Sequence, residues 1–160
     1  MSDTNIDIEQ RLEKAVRELL AAYALVTDLT TAARVFYKRD TSHAVDYPCA
    51  TIQAISFAEI GLRTGWYKGA LQLSGMTYRD DDKSRAVLKN ILGALRGWGQ
   101  QTDLKTQLNA TVSAHAATTA LDVRDIWLEG GSVDVSEDKI QEEFITLATV
   151  CRPTQAVTTA

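Results

Sequence analysis

Long apolar runs are missing from these 160 residues, so no segment supplies the roughly 20 apolar residues that a membrane-crossing helix needs. Cysteine is scarce. Cys49 and Cys151 are too few for a disulfide framework, and the expectation is two small, reduced, buried thiols inside a cell. The opening MSDTNIDIEQ shows neither the basic nor the apolar stretch of a secretory signal, in keeping with that expectation. Two prolines and 7% aromatic residues exclude proline-rich and low-complexity classes. The two histidines, His43 and His115, stand at no metal-ligand spacing to a cysteine or to each other. There is no G-x-S-x-G turn to raise a nucleophilic serine. Neither G-x-x-x-x-G-K-[ST] nor G-x-G-x-x-G is present to cradle phosphate. A positive excess is lacking too: the net charge is −4, against a surface that coats nucleic acid. The expectation is therefore no catalytic residue, no cofactor and no metal site, hence no enzyme.

What is present is an ordinary globular balance, 45% hydrophobic and 24% charged, enough for one domain over 1–160 with its core in about 7–153. Residues 7–26 place Ile8, Leu12, Ala15, Val16, Leu19, Tyr23 and Val26 at spacings of three and four, which predicts an amphipathic helix. Asp7 or Asn5 is its expected N-cap, and Thr27 to Thr31 its stop. Then the period shortens. Arg34–Lys38 is a strand candidate, 39–46 a polar loop, and Tyr47–Pro48 opens a β-branched strand through Ala58. Residues 59–65 hold two glycines and read as a hairpin loop before a long strand, Trp66–Tyr78. Within that strand Gly69 and Gly75 mark bulges or close backbone approach.

Asp80, Asp81 and Asp82 do not have the spacing of a calcium loop. They read as a cap and as charge at the positive end of a second helix, about 81–98, which Gly97 and Gly99 stop. Residues 100–120, polar and rich in Ala and Thr, read as a loop or a partly helical excursion. Two strands follow, 121–129 and about 141–150, with Gly130–Gly131 beginning a turn and 154–160 a frayed tail. The order α-β-β-β-α-β-β predicts an α+β fold: a mostly antiparallel, twisted sheet with two helices on one face.

Two groups of residues are candidate contacts. Arg34, Lys38 and Arg39 cluster beside Phe36 and Tyr37, and read as contacts to phosphate or to a charged subunit, or equally as charge guarding a strand edge. Leu62, Arg63 and Trp66 sit on the predicted hairpin, where Trp, Leu and Arg favour a protein interface. Trp66 folded onto the core is the alternative there.

The arrangement over nearly the whole chain, from helix 7–26 to Pro153, resembles the tail terminator (tail completion) proteins of long-tailed bacteriophages. The resemblance lies in the N-terminal helix, the YPCATIQAIS strand opening at Tyr47–Pro48, the passage TYRDDDKSRAVLKNILGAL with Asp81, Ala86, Leu88 and Leu92, and the final FITLATVCRP. It implies a structural virion protein, assembled in the host cytoplasm. Such proteins form a homo-oligomeric ring, a hexamer, that caps the head-proximal end of the tail tube, stops its polymerisation and meets the neck proteins. Tail tube and neck proteins are then the partners, DNA is cargo passing through an acidic ring, no membrane is involved, and no catalytic residue is carried over. A sheet edge offered to a second copy is one expected route to the ring. A neck or head-completion protein, or a small non-catalytic binding module, has the same outline.

Overall fold

The computed structural model describes residues 4–30, 34–38, 47–78, 82–114, 121–137 and 140–153. The predicted first helix is two: α1, Thr4–Ala21, and α2, Ala24–Thr30. At the junction the backbone tightens, Ala22 N–H donating to Leu19 O (3.2 Å) and Tyr23 N–H to Leu20 O (3.1 Å). The stop falls among the threonines as expected, since α2 ends at Thr30. Thr27 and Thr30 turn their hydroxyls onto the carbonyls of Ala24 and Val26, one turn back, and ride inside α2. Asn5 and Asp7 fall within α1 rather than capping it, because the helix already begins at Thr4.

The strands are β1, Val35–Tyr37, β2, Cys49–Glu59, and β3, Tyr67–Tyr78, followed by α3, Asp82–Gly99, and α4, Leu104–Ala114. Helix α4 resolves the 100–120 excursion, since Leu104 and Leu108, one turn apart, are fully buried. Residues 115–120, with His115, lie outside the described residues, as do 39–46, Asp80, Asp81 and the 154–160 tail. The last two strands are longer than expected: β4, Leu121–Glu137, and β5, Ile140–Pro153. Gly130–Gly131 is no turn. It sits inside β4 where the register on β5 slips between Glu129 and Val133, so the glycines mark a bulge.

The sheet runs β1-β2-β3-β5-β4, antiparallel except for β1 on β2. Side-chain alternation gives it two unlike faces. Ala50, Ile52, Ala54, Leu71, Leu73, Ile145, Leu147, Leu121 and Val123 share one face and form a single core with the apolar stripes of the helices. Among the described residues four helices, rather than the two expected, supply that cover. The opposite face carries Thr51 paired with Ser74, Gln53 with Gln72, Gln72 with Thr146, and Glu142 two residues from Phe144, the partner of Ser74.

Both glycines of β3 allow close approach, and Gly69 also marks a bulge. A methyl on Gly69 would fall inside the Phe57 ring, and one on Gly75 would lie 2.9 Å from Ile91 Cγ2 of α3. The extra residue of that bulge is on β2, opposite Gly69 and between Ile55 and Ala58, where Ser56 takes φ 62°.

Side chains occupy the sheet edges at several points. Glu13, buried on α1, accepts from Ala54 N–H (2.9 Å), two residues past the last β2 position that pairs with β1. On β4, Asn109 of α4 bonds both backbone groups of Val123, and Asp125 Oδ1 accepts from Ile126 N–H (2.9 Å). Together with the bulge at Gly130–Gly131, these contacts blunt the edge against another strand, so the expected offered edge is closed at these positions.

Candidate docking interface

The connection between β2 and β3 is a short, internally bonded tip. Ile60 N–H donates to Trp66 O (2.8 Å), and the Thr64 hydroxyl donates to Ile60 O (2.5 Å). The same hydroxyl accepts from Trp66 N–H (3.2 Å), and Glu59 Oε2 accepts from Gly65 N–H (2.9 Å). Three residues adopt left-handed backbone: Gly61 (φ 71°), Arg63 (φ 57°) and Gly65 (φ 74°). Glycine takes that conformation readily, whereas Arg63 holds it at a cost of about 1–2 kcal/mol. The turn is thereby fixed with Leu62 at its crest, 93% exposed, and Ile60 beside it, 42% exposed. An aliphatic side chain held almost wholly in water by a bonded turn is preorganised to be buried by something else.

Behind the tip lies a stack. Arg152 of β5 places its guanidinium 4.6 Å from the centre of the Trp66 ring, and Arg124 of β4 stands 5.6 Å from it. Arg152 also pairs with Asp122 (3.1 Å). Next to this, Lys68 Nζ sits 5.5 Å over Trp127, which is 36% exposed. Each such cation–ring contact contributes on the order of 0.5–1 kcal/mol at an exposed site. Trp66 is half-buried, between the two readings of the sequence: neither in the core nor fully presented. The stack holds the base of the hairpin and leaves Leu62 to project.

Sequence reasoning reached Leu62, Arg63 and Trp66 and missed Arg124, Trp127 and Arg152. Those three arrive through the strand order β3-β5-β4, which sets Tyr67 opposite Cys151 and Cys151 opposite Val123. Alternation along β4 would not have found them, because the register slips between Val123 and Asp125 and resets the facing of all that follows.

The other candidates lie elsewhere. Lys38 donates to both carboxylate oxygens of Glu142 (2.8 and 2.7 Å), Ser74 Oγ donates to Glu142 Oε2 (2.8 Å), and Thr51 and Ser74 share a short hydroxyl contact. Ser74 is eight residues from Trp66 along the sheet, roughly 26 Å at the usual strand rise. Gln53, Gln72 and Phe144 complete a shallow depression of about 130 Å³ on the face without helices. There Ser74 gives its proton to a carboxylate that the Lys38 ammonium already neutralises, so the group is mutually satisfied rather than arranged to activate Ser74. Arg34 Nη1 donates to Tyr47 O (3.2 Å), and Arg39 lies outside the described residues.

Neither cysteine is poised for chemistry. Burial pushes the Cys49 thiol up to about 12, and Glu142 adds to the shift while Lys38 and Arg34 oppose it. The fold does bring basic groups near Cys49, but burial outweighs them. Burial and then Asp122 push Cys151 up to about 12 as well.

No family model and no curated protein matches the chain. Among solved structures, the chain is similar to one from the virion of a native gene transfer agent particle, with a TM-score of 0.51 and 12% identity. The match covers 88% of this chain and 94% of that one. At that identity the likeness is one of fold, so this α+β sheet-and-helix architecture is one that a gene transfer agent virion also contains.

Proposed function

We propose that the chain is a structural subunit of a phage-like virion, and within that class a tail terminator: a ring that caps the tail tube, ends its growth and presents a surface to the neck. The observation that carries the reading is the near-complete mutual coverage with a chain of a gene transfer agent virion. The arrangement of helices and strands that resembles the terminator family supports the finer assignment. The preorganised tip supports an assembly role, because Leu62 and Ile60 offer apolar surface on a bonded turn backed by arginine and tryptophan. Leu62, Arg63 and Trp66 are the proposed contact residues at this end, and Arg34, Lys38 and Arg39 those toward a second partner.

The test is tube elongation. Tail-tube protein polymerising in the presence of this chain is expected to give tubes that stop growing, with the chain bound at one end only. Unaltered growth, together with capture of the chain by portal-bearing heads, would move it to the neck. Binding to neither would overturn the virion reading.

A further inference from the structure

We propose that copies of this chain meet head to tail, the Ile60–Leu62 tip of one seated on the outer face of the α1–α2 elbow of the next. The inference rests on the ring reading and names the surfaces that would build the ring.

Among the described residues the two most exposed large apolar side chains are Leu62, 93% exposed, and Leu25, 60% exposed. Leu62 crowns the hairpin at one end of the sheet. Leu25 stands on α2, which packs on α1 and α3 in the helical layer, so the two leucines belong to different surfaces. Around Leu25 the exposed neighbours Ala22 and Ala24 are small, which lets a projecting side chain approach the helix closely.

Charge matches as well. Arg63, beside Leu62, is exposed, and Leu25 is flanked by the exposed acid Asp28, one turn on along α2. Tip against elbow puts Leu62 on Leu25 and Arg63 toward Asp28. The competing route, strand against strand, meets Asn109 at Val123, Asp125 at Ile126, the Gly130–Gly131 bulge and Glu13 at Ala54. A contact between two unlike surfaces repeats around an axis and closes into a ring when its rotation allows, as the proposed function requires.

The experiment mixes two single variants, Leu25→Cys and Leu62→Cys, and treats them with a short bismaleimide. Wild-type protein is the control, because Cys49 and Cys151 are buried. A cross-linked dimer is expected in the mixture and in neither variant alone. Light scattering on the same samples separates the failures. An oligomer without mixed cross-linking rejects this contact and leaves the ring. A monomer without cross-linking rejects both. Charge reversal supplies a second readout: Arg63→Glu is expected to weaken association about tenfold, and adding Asp28→Arg to restore most of it. Loss without restoration would overturn the pairing. Each substitution is on the surface, so melting temperatures are expected to match wild type.

Discussion

The Asn109 carboxamide bonds both backbone groups of Val123, its Nδ2 donating to the carbonyl at 2.9 Å and its Oδ1 accepting from the N–H at 2.9 Å. A side chain of α4 thus stands where a sixth strand would otherwise pair. Asn109→Ala should cost about 1–3 kcal/mol in denaturant unfolding, since two polar groups lose their partners. It should also raise the aggregation rate of the folded protein, because the β4 edge opens. Loss of stability without faster aggregation would show that the amide holds α4 in place and does not guard the edge.

The packing of β3 gives a second prediction. Gly69→Ala drives a methyl into the Phe57 ring, whereas Gly75→Ala meets Ile91 Cγ2 at 2.9 Å and two leucine methyls at 3.1 Å. Overpacking of this kind costs about 1–3 kcal/mol, and Gly69→Ala should be the worse. Thermal unfolding of both variants checks the order. Equal melting temperatures would mean that the Phe57 ring has room to move aside.

Thr149 is fully buried, and its hydroxyl has no hydrogen-bond partner among the described residues. Thr149→Val keeps the shape and removes the unsatisfied group. Its stability should be unchanged or higher, by up to about 1 kcal/mol. A clear loss would reveal a partner for the hydroxyl in the folded protein.

The cysteines predict a pH dependence. Both folded thiols are pushed to about 12 from an ordinary value of 9.0, so the folded chain holds protons that the unfolded chain releases between those limits. The unfolded state binds fewer protons there, and stability must fall as pH rises, by at most about 1.4 kcal/mol per pH unit for each thiol. Below the ordinary value the contribution is complete. Urea unfolding from pH 8 to 11 should show the decline, flattened in a Cys49→Ala, Cys151→Ala protein. An equal slope in that protein would assign the decline to other groups. A thiol reagent at pH 8 should label the native chain slowly and the unfolded chain at once.

Much of this fold was legible because its signals are local. The stripe from Ile8 to Leu20, the run from Cys49 to Glu59 and the glycines around Leu62 each declare a period or a turn within a few residues. The failures come where tertiary context overrides a local rule. The stripe over 7–26 reads as one helix but breaks at Ala22–Tyr23, where α2 turns to pack on α1 and α3. Gly130–Gly131, a turn by composition, is a bulge because β5 continues alongside it. At the candidate site, Leu62, Arg63 and Trp66 were legible because they share one hairpin. Arg124 and Arg152 were not, because only strand order and register bring them to the Trp66 ring.

The central claim is that this chain acts as one subunit of a ring. Solution mass by light scattering after size exclusion, with negative-stain images of the same peak, tests it most directly. The expected result is one species of about six copies showing a central hole, which Leu62→Asp converts to monomer without lowering the melting temperature. A wild-type chain that stays monomeric at its highest soluble concentration, with no ring in the images, would contradict the account.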